Sequence, residues 1–558
     1  MIEDIKIPSS IASLRKLAFK VPEIENCYYF DSINGNDDND GKSVSKPFRS
    51  LLKIPSLLDK EPCKLLFKKG CLFDGNLVIN DSAIIDSYGD GNKPIFTSNR
   101  GSIISIHSSN VSINNVEITG YGAIRGIELS PKEKGIISNI LIQGCYIHDI
   151  NWNWIYRDSP FSKDPDDIDV EIVCNEFDEN GERKGRYFYR YHGGIIGYNE
   201  IGPSTFDNIF IINNIVCNVA RTGITIYSKW ADKPGIGYGY NKFINDENKE
   251  LNYDTGLGYF KHHNIVCINN YVECVGGDGI VISSCDNSYV ANNISFGANY
   301  LGRTNYWNAA IWVYDTDKCL FENNFATNTY KRHGGEDAQG FDIDNCCNDV
   351  YLTNNISYGN EGGGMLICNL ATKVVLRNKD GTPVINKDGT EKIETITGKW
   401  GPNYVFNNLF AFNGNAKDLS RAAMLTIARE ASHAQFNNNL VVLNDLIGDQ
   451  SIINTEDLST KCYENCFKNN RFIANKNNQG VFTTSMMINP FFKNNYYYGV
   501  NPFVGEEHPF LYSINERPKW VDKIAKLKIK GDDAFERFNN AKALVSLINK
   551  TIKEDASR

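Results

Sequence analysis

Across most of its length this chain alternates apolar and polar residues in short runs, the period-two signature of β-strands. SIISIHSSNVSINNVEITG at 102–120 and SNILIQGCYIHDI at 138–150 are two such stretches. A second pattern punctuates the first: an apolar strand, a pair of asparagines, then another apolar residue. The pairs are Asn213-Asn214, Asn269-Asn270, Asn292-Asn293, Asn323-Asn324, Asn354-Asn355, Asn407-Asn408 and Asn438-Asn439. Their first members are separated by 56, 23, 31, 31, 53 and 31 residues. A phrase recurring at about 20–50 residues predicts a solenoid, each repeat forming one coil stacked on the last.

Roughly ten residues after most pairs comes a further phrase, and these phrases align. They are GIIGY (194–198), GITIY (223–227), GIVIS (279–283), AIWVY (310–314), GFDID (340–344) and GMLIC (364–368). The apolar pairs Ile224/Ile226, Ile280/Ile282, Ile311/Val313, Phe341/Ile343 and Met365/Ile367 are predicted to point inward. Alternation then places two columns outward. One is Ile196, Thr225, Val281, Trp312, Asp342 and Leu366; the other is Tyr198, Tyr227, Ser283, Tyr314, Asp344 and Cys368. A single coil, Gly340 to Asp344, turns two carboxylates outward where its neighbours show aromatic or apolar residues.

The ends read differently. Residues 8–19 show helical spacing of Ile11, Leu14 and Leu17 after a capping serine. Residues 27–54 run from a strand through an Asn/Asp/Gly loop to a short helix opened by Pro47. From Asn36 that loop follows EF-hand spacing to Gly41, but Pro47 stands where the bidentate Glu is required, so a turn-rich loop is expected. Tyr-Phe-Asp, Asn-Gly-Asn-Asp, Asp-Gly and Pro-Phe-Arg-Ser-Leu in this segment resemble the N-terminal cap of bacterial right-handed parallel β-helix proteins, and MINPFFKNN (487–495) is similar to the close of such chains. The resemblance covers the cap and the coils to about residue 450. It implies an all-β, right-handed parallel β-helix within a superfamily of glycoside hydrolases and polysaccharide lyases. The expected organisation is a cap at 1–62, coils at 63–500 and a C-terminal extension at 501–558 with a helix at 534–554. Insertions at 155–191, 231–263 and 371–400 break the rhythm; the last, with two KDGT turns, reads as hairpins. Insertions on a solenoid wall its binding face. Paired asparagines suit the tight turns of such a coil, because Asn tolerates positive φ and stacked amides can bond along the axis.

Composition narrows the partners. A net charge of −9 lacks the basic footprint of a nucleic-acid binder. Fifteen cysteines without metal-site spacing read as free, mostly buried thiols of a reducing compartment. Neither a signal-peptide layout nor an apolar run of ~18 residues is seen, so the expectation is no membrane span and a cytoplasmic or non-classically exported chain. Aromatic content of 12% fits strands and also sugar-stacking rings.

The acidic coil carries the chemistry. Asp342 and Asp344, with Asp315 and Glu361 assisting, are the candidate catalytic groups, and crowded carboxylates are what glycosidic cleavage uses. Trp312, Tyr227 and Tyr314 are candidate sugar platforms. Arg221, Arg421, Asp278, Glu336, Asp337 and His192 are further candidate substrate contacts, Arg221 and Arg421 being equally able to pair with Asp342 or Asp278. His148 and His333 are weaker candidates. Similar β-helix glycosidases carry their acid pair in Trp- and Asp-bearing strands of neighbouring coils, which AIWVYDT followed by GFDID resembles. On this reading the partner is a poly- or oligosaccharide and no cofactor is required. The same carboxylates could bind Ca²⁺ or lie as solvated charges. A uronate-specific lyase and a non-enzymatic glycan-binding or structural module are the alternatives, and oligomeric state is open.

Overall fold

The computed structural model describes residues 5–151, 192–199, 203–228, 260–300, 308–331, 337–369, 401–414, 423–444, 451–456, 461–475 and 480–556, with short pieces of 176–184 and 372–396. Among these, three long sheets run the length of the molecule. Sheets A and B have 14 strands each and sheet C has 12. Strands from successive turns of the chain pair in parallel throughout. One coil visits the sheets in the order A, B, C: Cys285–Ala291, Ile294–Phe296, Ile311–Tyr314, and the next repeats it with Asp317–Glu322, Phe325–Thr327, Gln339–Ile343. The architecture is a right-handed parallel β-helix, and the inward alternation predicted from the six phrases holds, with Ile224, Ile226, Ile311, Val313, Phe341 and Ile343 in one continuous core.

The two asparagines of each pair do different jobs at the turn from sheet A to sheet B. The first sits in the left-handed region, with φ of 55–58° from Asn213 to Asn438, which Asn adopts at lower cost than most residues. The second is buried. Its side-chain N–H donates to a strand carbonyl of the preceding coil and to the Oδ1 of the next asparagine. This ladder runs from Asn214 through Asn270, Asn293, Asn324, Asn355, Asn408 and Asn439 at 3.0–3.1 Å per rung. It continues to Asn470 and Asn495 and ends on the Glu506 carboxylate, which supplies the acceptor that no further coil provides.

The chain covers two outer faces itself. On sheet A, Ile11 and Leu14 pack across Leu141, Phe210, Val266, Tyr289, Leu320, Tyr351 and Phe406. Arg15 grips Glu322 with two bonds of 2.7 and 2.6 Å. The N-terminal helical segment, one α-turn at Ser9–Ala12 continued as a 3-10 turn at Ser13–Lys16, thus lies along the side of the stack. The end of the stack is closed by Tyr28, Phe30, Phe48, Leu51 and Ile54. In the Asn/Asp loop, the Asp37 carboxylate accepts from Arg49 N, Ser50 N and Ser50 Oγ, and the Asn36 and Asp40 side chains accept from Asp38 N and Lys42 N. On sheet B, the helix Ala534–Ala556 packs Ala541, Leu544 and Ile548 over Ile215, Tyr271, Ile294, Phe325 and Ile356.

Sheet C is the remaining face. Its outward column is exposed at the first coil (Val78, 36%), buried at Ile196 (0%), Val281 and Leu366 with Trp312 half-buried between the last two, and exposed again at Thr483. The insertions at 155–191 and 231–263 lie almost entirely outside the described residues. Where the second ends, His262 and His263 already belong to the sheet A strand His262–Ile268. The hairpin expected at 371–400 is present as antiparallel Thr372–Val375 and Ile393–Ile396. The described cysteines are all free, and no described helix is long and apolar enough to cross a membrane.

Candidate functional site on sheet C

The register of sheet C fixes the relation between the candidate side chains. Trp312 pairs with Val281 on one side and Asp342 on the other, and Asp342 pairs with Leu366. Neighbouring strands lie about 4.8 Å apart, so the indole and the first carboxylate project side by side from adjacent coils. Val313 pairs with Ile343, and the Asp344 N–H donates to the Val313 carbonyl at 2.9 Å, which sets Asp344 beside Tyr314 in the second column. Asp342 lies on the strand Gln339–Ile343 and Asp344 is the residue just past its end, about 6.6 Å further along the backbone. Asp342 alternates with Phe341 and Ile343, which contribute to the core. Asp342 is 5% exposed, and Asp344 and Trp312 are half-buried.

Asp278 stands just before the strand Ile280–Ser283 and is 3% exposed. Its Oδ2 accepts from Arg221 Nη1 at 2.8 Å, and its Oδ1 accepts from Trp312 Nε1 at 2.9 Å and from Ala309 N at 3.1 Å. Of the two partners open to Arg221 in the sequence, the structure gives Asp278. Tyr227 stacks on Tyr198 with centroids 6.2 Å apart, three and four coils before Asp344. Tyr314 is buried between Ser283 and the Asp344 position.

The assisting carboxylates are placed at the two edges of the sheet. Asp315 follows Tyr314 in a left-handed turn, donates its N–H to the Asn345 carbonyl at 2.8 Å, and has Oδ1 4.0 Å from Lys261 Nζ. Lys261 also bonds Asp317. Burial alone would lower the Lys261 ammonium, but Asp317 and Asp315 outweigh it and hold it above its ordinary value, fully charged. Lys261 went unnoticed in the sequence because it and Asp315 belong to coils separated by irregular spacing. Glu361 lies at the opposite edge, in the turn entering Gly363–Asn369, where Oε2 accepts from Lys331 N at 2.6 Å. Asp337 is buried in the turn entering Gln339–Ile343. His192 is buried one residue before Gly193–Tyr198; burial and then Arg125 push its imidazole down to about 3, so it is neutral. His148 projects from sheet B, away from this face, between Asp149 and Glu117. Arg421, Glu336 and His333 lie outside the described residues.

Sheet C therefore sets Asp342 beside Trp312 on adjacent strands, with Asp344 just past the end of the Asp342 strand, and braces Trp312 through Asp278 and Arg221. Among the described residues, no group of three or more His, Cys, Asp or Glu is disposed to hold a metal ion. An indole beside a carboxylate is an arrangement that can stack a sugar ring and present an acid group to its linkage.

No protein-family model matches the chain. A lacto-N-biosidase of Bifidobacterium longum subsp. longum is 23% identical over 499 residues, covering 74% of this chain and 28% of that protein. The chain thus spans little more than a quarter of that curated relative. Among solved structures, the native GH136 lacto-N-biosidase of Eubacterium ramulus is similar with a TM-score of 0.50 at 17% identity, covering 88% of this chain and 68% of that one. The A-module of the Azotobacter vinelandii mannuronan C-5 epimerase AlgE6 gives a TM-score of 0.47 at 11% identity, over 90% and 98% of the two chains. The shared fold is a parallel β-helix.

Proposed function

We propose that this chain is a glycoside hydrolase that cleaves a glycosidic bond in an oligosaccharide on the outer face of sheet C. The observation that carries the reading is one register pair of sheet C: Asp342 lies directly beside Trp312 on the neighbouring coil, and Asp344 follows it two residues on. In the mechanism, one carboxyl group gives its proton to the leaving oxygen while the other, ionised, attacks the anomeric carbon or activates water. The pair spacing of about 6.6 Å along the backbone accommodates either course once the side chains lean, since the two stereochemical classes use about 5–5.5 and 6.5–9.5 Å between carboxyl groups. Trp312 offers the ring face on which a sugar stacks. Asp315, whose Oδ1 lies 4.0 Å from Lys261 Nζ, is left out of the proposed acid pair.

The matched relatives are lacto-N-biosidases by name, so the substrate proposed is an oligosaccharide carrying a lacto-N-biose unit. An aryl lacto-N-bioside, which releases a coloured phenol on hydrolysis, tests activity and specificity together. The wild-type chain is expected to release the phenol. Asp342→Asn and Asp344→Asn are each expected to slow release by at least about a hundredfold, the lower end of what one acid–base group contributes. Wild-type rates in both variants would exclude this pair as the catalytic centre.

A further inference from the structure

Arg221, Asp278 and Trp312 come from three successive coils of sheet C and form one connected strut. The Arg221 guanidinium is 1% exposed and enters beside Gly277, where an added Cβ would lie 1.8 Å from Nη1; only glycine leaves room for it. The Arg221 carbonyl accepts the Gly277 N–H at 2.7 Å, and the Asp278 carbonyl accepts the Gly223 N–H at 3.0 Å, so backbone and side chain lock the same two coils. Asp278 then reaches the third coil through Ala309 N and the indole N–H of Trp312. Three donors already occupy the two oxygens of this carboxylate, which leaves it poorly placed to take a substrate hydroxyl.

We infer that Asp278 is a positioning residue: it accepts the Trp312 indole N–H and so fixes the plane of the ring that carries the sugar. The inference rests on the reading of sheet C as a sugar-cleaving face. A tryptophan ring is oriented by two torsions, the second of them broad, so a bond to the ring nitrogen selects one plane from several. A carboxylate is the strong acceptor for this, because charge-assisted bonds are shorter and roughly twice as strong as neutral ones. Arg221 pairs with the carboxylate and keeps it aimed, at a depth where an isolated charge would not persist.

Removing Asp278 alone would strand a buried guanidinium and could unfold the chain, so both charges are removed together. Arg221→Met/Asp278→Asn keeps an acceptor of the same shape at position 278; Arg221→Met/Asp278→Leu does not. Two readouts are compared. The first is the tryptophan fine structure in near-ultraviolet circular dichroism, assigned to Trp312 by subtracting the spectrum of Trp312→Phe. The second is KM against kcat for the aryl glycoside. The Asn pair is expected to retain the Trp312 signal and the Leu pair to lose it, with KM in the Leu pair about tenfold above that in the Asn pair and kcat changed less. An identical Trp312 signal in the two pairs overturns the inference, whether or not any glycoside is cleaved. A dichroism contrast in a chain that hydrolyses nothing upholds the strut and overturns the hydrolase reading instead.

Discussion

Replacing Asn324 with alanine tests the physics of the coil directly. Asn324 is buried; its amide donates to the Val290 carbonyl at 2.9 Å and to Asn355 Oδ1 at 3.0 Å, and its Oδ1 accepts both Asn293 N and Asn293 Nδ2 at 3.0 Å. Alanine leaves two buried donors of Asn293 without their acceptor. At about 1–3 kcal/mol for each stranded group, the expected cost is about 2–6 kcal/mol, a large fraction of a typical stability of about 5–15 kcal/mol. Its neighbour Asn323 supplies the control. That residue is exposed with φ of 57°, and there glycine removes only a local constraint, so Asn323→Gly is expected to stay within about 1 kcal/mol. Urea unfolding followed by fluorescence measures both, with the slope checked for constancy between variants. If Asn324→Ala costs under 1 kcal/mol, or Asn323→Gly costs more than Asn324→Ala, the division of labour within the pairs is wrong.

Other consequences follow from groups elsewhere in the fold and from Trp312 itself. Arg537 Nε bonds the Glu273 carboxylate, buried under the terminal helix, at 2.5 Å. Arg537→Met is expected to weaken helix docking by about 2 kcal/mol, since it strands that charge, and to open residues 534–556 to proteolysis; unchanged protection would contradict it. His148 is held up at about 9: burial pulls it down, but hydrogen bonds to Asp149 and Glu117 reverse that. A folded-state value above the unfolded one near 6.5 means stability present below about pH 6.5 and lost as pH rises through 9. Thermal melts at pH 6 and 9.5 are therefore expected to fall further in the wild-type chain than in His148→Gln, by at most about 3 kcal/mol; parallel losses would refute the assignment. Trp312→Ala is expected to raise KM for the aryl glycoside with a smaller change in kcat, and an unaltered KM would remove Trp312 from the binding face.

Much of this molecule is written in short-range periodicity, and that part is legible without coordinates. Counting forward from each asparagine pair is enough to place Trp312, Asp342 and Leu366 in one column, because a parallel solenoid turns sequence alignment into spatial adjacency. Ile196 and Thr225 fall into the same column by the same count. What the count misses are contacts between segments that share no repeat. The packing of Ile11 and Leu14 across sheet A joins residues more than a hundred positions apart, and nothing in 8–19 announces a side rather than an end. The terminal helix is the same case, amphipathic in sequence but silent about sheet B. Irregular coil lengths hide the rest: Lys261 meets Asp315 and Asp317 only after an insertion of no fixed register, so Asp315 reads as part of the acidic centre until its lysine is seen. Arg221 and Asp278 were legible as candidates but not as partners, since the sequence sets two carboxylates equally within reach of the arginine.

On the proposed reading, a glycosidic bond is held over Asp342 and Asp344 against Trp312. The most direct test is a crystal of the Asp344→Asn chain soaked with a lacto-N-biose-containing oligosaccharide. The expected result is a sugar ring lying on the Trp312 indole, with the glycosidic oxygen within hydrogen-bond reach of Asp342 and the anomeric carbon facing residue 344. A sugar bound only on sheet A, on sheet B or along the terminal helix, with sheet C bare, would contradict it.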